Sequence, residues 1–379
     1  MSGRSDALDP RDVAGLGEVI ESRVAVDDDE EIEDSGGSGI AARVKPLPAW
    51  ERQLPRIYLA GLGAALVWLL VLPEFANAYN VTLALTVLLT VCLATSWNVI
   101  SGFAGYTSFG HAGFFGIGSY VGTLLLYHDV MPWIPAMVAA GLGTAVVALV
   151  IGYPTLRLRG PYFAITMLGL SEIARIVVTA WDSLTRGGIG IPLPIVRFPL
   201  PPEDPGLVER VEFLWGRWPN YYAMVALAVV AVVMSFVVGT SRFGLTLRSI
   251  RDDEGAAQAM GIDTTRHKLA AFALSSFFPG AAGAIYARHI GFIDPAAVFA
   301  IIWSIRAIAT SILGGQGTIL GPIFGAVVLT LVSEWVWERS TTFYQVIFGG
   351  IIVLVVLFLP GGLMALLQRW GWLPRSRRL

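Results

Sequence analysis

Charge is scarce in this sequence. Of its 379 residues, 14% are Asp, Glu, Lys or Arg, against 55% hydrophobic. A soluble domain carries roughly 25% charge, so this chain cannot cover a soluble surface of its own size, and lipid must cover much of it. Cysteine occurs once, as Cys92 in an apolar run, which excludes an intrachain disulfide and a cysteine-based metal site. The histidines His111, His128, His267 and His289 are scattered and form neither H-x-x-x-H nor H-E-x-x-H, so no metal is expected. The phosphate-binding pattern G-x-x-x-x-G-K-[ST] is missing, and Lys268 follows His267 rather than glycine. No Ser/His or paired-Asp constellation points to an intramembrane enzyme. Lysine is nearly absent too: only Lys45 and Lys268 stand among 26 cations, which reads as compositional bias.

What acid there is clusters. Residues 1–40 hold twelve acids and three arginines, a charge of −9, which leaves +7 for the remainder. The run Asp27 to Glu31 and the Ser/Gly stretch after it cannot bury enough apolar surface to offset ordering entropy, so 1–50 is expected to be a disordered acidic cytoplasmic tail. It has neither the basic start nor the apolar core of a signal peptide. About ten apolar runs long enough to cross a bilayer follow, at 57–72, 81–100, 103–126, 134–152, 162–180, 221–239, 269–287, 296–313, 319–337 and 343–360. The expected fold is all-α: a polytopic membrane bundle of about ten helices over 51–365, with glycine-rich broken or re-entrant segments, then a basic cytoplasmic tail at 366–379. With the N-terminus cytoplasmic, the inner segments (43–56, 157–159, 242–268 and 369–378) hold fifteen Lys and Arg, and the outer ones hold six. That bias puts both termini inside and 181–220 outside the cytoplasmic membrane.

Two glycine-rich stretches sit at membrane depth. On a helix through Ser101 to Ser119, Ala104, Ser108, Ala112 and Gly116 would share a face; from Leu313 to Pro322 and on, Gly317, Gly321 and Gly325 would do the same. Small residues allow close helix packing, and transporters also use such segments as broken helices along a solute path. On the second reading, Ser108, Gly110, His111, Gly315 and Gly317 are pathway candidates, although His111 also suits a hydrogen-bonded structural role. Within the spans, Glu172 and Arg175 are spaced to pair on one helix face as a structural bridge, and Arg306 and Glu334 have the chance to pair across helices. Between the 221–239 and 269–287 runs, Asp253 and Glu254 favour a helix start, Ala256, Ala257 and Ala259 favour helix, and Gly261 ends it. A short surface helix of this kind suits docking of a soluble partner, with Ala256 and Ala257 in a shallow groove and Glu254 against a basic rim.

Several motifs together resemble a known family. They are Trp97-Asn98 before Gly102, Phe109-Gly110-His111-Ala112 with Phe114-Phe115, Gly160-Pro161-Tyr162-Phe163-Ala164, Ser171-Glu172-Ile173-Ala174-Arg175, Arg251 through Gly261, and Gly314-Gly315-Gln316-Gly317-Thr318 with Gly321-Pro322. From about residue 80 to 365 the chain resembles branched-chain amino acid permeases of the LivM/LivH type, and LivM more closely. It departs at Gly255, where the family pattern has an acid, and at Pro279, where a kink is expected. The resemblance implies an ATP-driven importer. Its partners would be a LivH-like second permease subunit, two cytoplasmic ATPases that bind the ATP, an extracytoplasmic substrate-binding protein and the lipid bilayer, with no nucleic acid and no cofactor in this chain. Asp253, Glu254, Ala256, Ala257 and Gly261 would then form the ATPase-coupling segment. Urea-type permeases share nearly all these motifs. An ion-coupled secondary transporter is the reading from another class; it should expose unpaired intramembrane carboxylates, for which Glu172 and Glu334 are the candidates.

Overall fold

Lipid offers no hydrogen-bond partner, so apolar runs can hide their backbone amides in helices, and the computed structural model is built of them. It describes residues 49–158, 160–193, 218–339, 346, 349–350, 353 and 361–369. Met1–Arg52 and Gln53–Leu379 are separate units, and the features below belong to the second. The acidic tail to residue 48, 194–217 of the long loop, most of the 343–360 run and 370–379 of the basic tail lie outside the described residues.

The helices are α1 (Ala49–Phe75), α2 (Ala78–Trp97), α3 (His111–Tyr127), α4 (Trp133–Thr155), α5 (Pro161–Ala180), α6 (Trp218–Thr240), α7 (Arg242–Asp252), α8 (Glu254–Ala259), α9 (Thr264–Ile290), α10 (Pro295–Val298), α11 (Ile302–Gly314), α12 (Gly321–Arg339) and α13 (Gly362–Arg369). Among the described residues, six segments are long and apolar enough to cross a membrane: Ala78–Phe103, Trp133–Thr155, Pro161–Ala180, Pro219–Thr240, Thr264–Ile290 and Pro295–Gly314. Gly63–Phe75 and Gly321–Trp337 are shorter apolar helices. The chain is thus a multi-pass membrane protein, and the expected count of about ten is not reached among the described residues.

Both glycine-rich stretches are interrupted, as the expectation of broken segments has it, and neither forms the continuous small-residue face of the other reading. α2 loosens into a π-helix at Asn98–Phe103, 104–110 is not helical, and α3 begins only at His111. Ala104 and Ser108 therefore share no helix face with Ala112 and Gly116. Gly317 likewise lies between α11 and α12, so only Gly321 and Gly325 are helical. The small residues that do bring helices together are others. A Cβ on Gly118 of α3 would fall 2.2 Å from the Gly280 carbonyl oxygen of α9, and one on Gly325 would fall 2.0 Å from the Thr310 carbonyl oxygen of α11. Backbones approach that closely only where no side chain intervenes. α9 runs on through buried Pro279 without ending.

Burial separates centre from edge. In the Ala78–Phe103 segment 83% of the apolar stretch is buried, against 17% for Pro161–Ala180, so α2 is central and α5 peripheral. One end of the bundle gathers the C-terminal part of α1 with the α3–α4 and α9–α10 connections and the described start, 181–193, of the α5–α6 connection. There β1 (Ile191–Pro192) pairs antiparallel with β2 (Phe292–Ile293), Ile191 opposite Ile293. The Tyr221 hydroxyl donates to the Leu69 carbonyl at 2.8 Å, and the Arg288 guanidinium lies 4.4 Å from the Trp133 ring centre. The opposite end gathers both helix breaks, the end of α4, and α7 with α8.

Candidate functional site

At that opposite end the two breaks are pinned to each other. Where α2 gives up its regular ladder, side chains take over the backbone groups. The Ser101 hydroxyl donates to the Tyr106 carbonyl at 2.8 Å and accepts from the Ser108 amide at 3.3 Å, and the Trp97 indole donates to the Ser108 carbonyl at 2.8 Å. Buried Asn98 then bridges to the second break. Its Nδ2 donates to the Thr318 carbonyl, and its Oδ1 accepts from the Gly317 amide, both at 2.8 Å. Gln316 donates to the Ser101 carbonyl at 3.0 Å. Gly317 has φ +79°, the left-handed region that glycine enters without steric cost.

α7 and α8 are bolted to these breaks. Ser241, Asp253 and Asp263 cap α7, α8 and α9 by accepting from the amides of Gly244, Ala256 and Arg266. Gly261, at φ +82°, turns the chain from α8 back toward α9 as its position suggests. Arg251 of α7 donates to the Gly102 carbonyl at 2.8 Å. Glu254, expected to face a partner, is turned inward instead. It accepts from Lys268 Nζ at 2.6 Å and from the Tyr106 hydroxyl at 2.9 Å. Lys268, 4% exposed, also donates to the Tyr106 oxygen at 2.9 Å and to the Leu156 carbonyl at 3.0 Å. A buried ammonium and carboxylate persist only when paired and hydrogen-bonded, and here three elements far apart in sequence supply the partners. Ala257 is buried as well, so of the two alanines expected to dock only Ala256 is exposed.

The pathway candidates are spread around the same node. Ser108 and His111 are fully buried. The Gly110 amide donates to the Ser108 hydroxyl at 3.2 Å, and neither ring nitrogen of His111 has a hydrogen-bond partner among the described residues. Gly315 lies against Met364 of α13. Glu172 and Arg175 form the expected pair away from this node, on α5, with Arg175 Nε donating to Glu172 Oε2 at 2.9 Å. Arg306 and Glu334 line a shared cleft of about 270 Å³ between α2, α11 and α12, where Glu334 accepts from the Tyr79 hydroxyl at 3.0 Å. Sequence reasoning missed Asn98, Tyr106, Arg251 and Lys268 as members of the node. Lys268 did carry a signal: in a chain with one other lysine, Lys45, a lysine near the start of a membrane segment suits a compact ammonium in a small polar pocket.

Residues 79–357 match the family model for the branched-chain amino acid transport system / permease component. The chain is 31% identical over 319 residues to the high-affinity branched-chain amino acid transport system permease protein LivM of Salmonella typhimurium, covering 81% of this chain and 74% of that protein. To LivM of Escherichia coli it is 30% identical over 320 residues, covering 80% and 74%. To the permease protein LivH of Salmonella typhimurium it is 25% identical over 297 residues, covering 72% and 90%. No solved structure matches. A family match over most of the membrane bundle, together with LivM relatives at this identity, means that the chain belongs to the branched-chain amino acid transport permease family, whose members are transport subunits rather than enzymes.

Proposed function

We propose that this chain is one of two transmembrane subunits of an ATP-driven importer carrying branched-chain amino acids across the cytoplasmic membrane. The names of its relatives support that cargo over urea or a short amide, and support a multi-part transport system over an ion-coupled carrier. The observation that carries the mechanism is the Glu254–Lys268–Tyr106 junction, because it makes a peripheral helix rigid with a broken membrane helix.

In this reading ATP is bound by two partner ATPases, and their closure pushes on α7 and α8. The docking face is the exposed side of α8, with Ala256 and with Met260, which is 83% exposed. Asp253 and Gly261 set the ends of that helix. Glu254 and Ala257 hold it from inside, and movement passes through Tyr106 to the 104–110 break and through Arg251 to Gly102. The breaks, with Ser108, Gly110 and His111 in one and Gly315 and Gly317 in the other, change the solute path beside them. A LivH-like subunit completes the path, and an external binding protein delivers the solute. The junction end faces the cytoplasm, with both termini, in keeping with the fifteen-to-six split of basic residues. Of the described helices, α1, α3 and α12 are those that would add to the six spans toward the expected count of about ten.

The test is reconstitution of the importer with its partner subunits in proteoliposomes. L-Leucine uptake is expected to require ATP inside and the binding protein outside. Uptake by the two permease subunits alone, driven by an ion gradient, would overturn the proposal. Ala256→Trp is expected to leave the permease pair assembled and weaken ATPase association.

A further inference from the structure

A second cleft, of about 420 Å³, opens between α3, α5 and the α10–α11 turn. We propose that it holds the amino-acid zwitterion during passage, with Arg175 on the carboxylate and Glu172 on the ammonium group; the inference rests on the importer reading above.

Depth is the first argument. α5 has 20 residues, about 30 Å at 1.5 Å per residue, which matches the hydrocarbon thickness. Glu172 lies about 17 Å from the start of the helix and Arg175 about 8 Å from its end. Their side chains are 53% and 35% exposed. Charged groups at membrane depth face a bundle interior, a partner or a water-filled path, because lipid solvates them poorly. α5 is the most peripheral of the six spanning segments, so the exposed charge needs cover from the second permease subunit and from water.

Chemistry is the second. An amino acid carries one cation and one anion on a single carbon. A guanidinium beside a carboxylate on one helix turn complements both, and a guanidinium binds a carboxylate through two parallel hydrogen bonds. When the zwitterion separates Glu172 from Arg175, each charge exchanges one opposite partner for another and the net charge of the cleft stays at zero. Apart from Ser171 the remaining wall among the described residues is apolar: Phe109, Leu168, Phe299 and Ile301 line the same cleft, as a branched aliphatic side chain requires. A solute lacking either charge would leave Glu172 or Arg175 short of a partner.

Connection to the junction is the third. Phe109 belongs to the 104–110 break, and Phe299 and Ile301 belong to the interruption between α10 and α11. Ser304 ties the two together: its hydroxyl donates to the Phe109 carbonyl at 2.7 Å and accepts from the Ala112 amide at 2.8 Å. Movement received through Tyr106 therefore reaches a wall of the cleft within the same short segment.

The test uses the complete reconstituted importer with radiolabelled L-leucine, in Glu172→Gln, in Arg175→Gln and in the exchanged pair Glu172→Arg/Arg175→Glu. All three are expected to assemble with the partners as wild type does, with leucine uptake lowered about tenfold or more. A purely structural bridge would be rebuilt by the exchanged pair, so recovery of wild-type uptake there overturns the proposal. A second readout needs no turnover: thiol labelling of Ile301→Cys in a Cys92→Ala background. L-Leucine should slow labelling, whereas isoamylamine and isocaproate, each lacking one charge, should not, and Arg175→Gln should abolish the protection. Protection that persists in Arg175→Gln overturns the site while wild-type leucine uptake leaves the importer reading standing. If the wild-type assembly takes up no leucine, the importer reading fails and the site with it.

Discussion

Two glutamate–cation pairs divide this protein. Glu254 and Lys268 lie fourteen residues apart in sequence and meet in the interior, with side chains 12% and 5% exposed. Glu172 and Arg175 are three residues apart on one helix and stay half in the open. In the first pair every ammonium proton of Lys268 has an acceptor: Glu254, the Tyr106 oxygen and the Leu156 carbonyl. Nothing further can bind there without breaking something, which suits a joint. The second pair holds itself together locally and keeps one side toward a cleft, which suits a place where partners are exchanged. The same two charge types thus serve rigidity or recognition according to how many of their hydrogen-bonding sites the fold occupies.

The hardest blow to that contrast is Lys268→Met. It leaves the buried Glu254 carboxylate without its counter-ion, held only by the Tyr106 and Thr264 hydroxyls, and removal of one partner of a buried pair costs about 3–5 kcal/mol. The expected result is a large drop in the melting temperature of the purified complex, with partial recovery in Glu254→Gln/Lys268→Met; a melting curve unchanged by Lys268→Met would remove the junction from the account. Arg175→Gln should show the reverse pattern: unchanged melting, and leucine uptake down about tenfold.

Two glycines sharpen the junction side of the comparison. Gly317 and Gly261 have nearly the same left-handed backbone, φ +79° and +82°. A Cβ at Gly317 would lie 3.0 Å from Arg251 Nη1 and 3.2 Å from the Gly102 carbonyl oxygen, whereas one at Gly261 meets nothing within 4 Å. Gly317→Ala should therefore cost more than the roughly 1–2 kcal/mol of the backbone conformation alone, and Gly261→Ala about that amount. Equal shifts in melting temperature would mean that the contact between Arg251 and the breaks carries no strain.

Much of this could be read from residues in a row. The glycine runs mark both helix interruptions, as the broken-segment reading expects, but local spacing alone cannot tell a break from a packed small-residue face. Asp253 and Gly261 bound α8 as capping chemistry requires, and the one-turn spacing of Glu172 and Arg175 is enough to pair them. The direction of Glu254 could not be read, because an acid at a helix start is equally at home facing solvent or a buried lysine. Asn98 gave no local sign of its partners Gly317 and Thr318, which lie 219 and 220 residues away.

The sequence by itself determined the solvent, the helices and the places where they fail, since low charge and apolar length decide what lipid will accept, and glycine decides where the backbone can leave the helix. Tertiary structure decided which of those failures meet. Hydrogen bonds from Asn98, Tyr106, Arg251 and Lys268 depend on three-dimensional distance and on the need to satisfy every buried polar group, and neither is encoded in the spacing of residues along one segment.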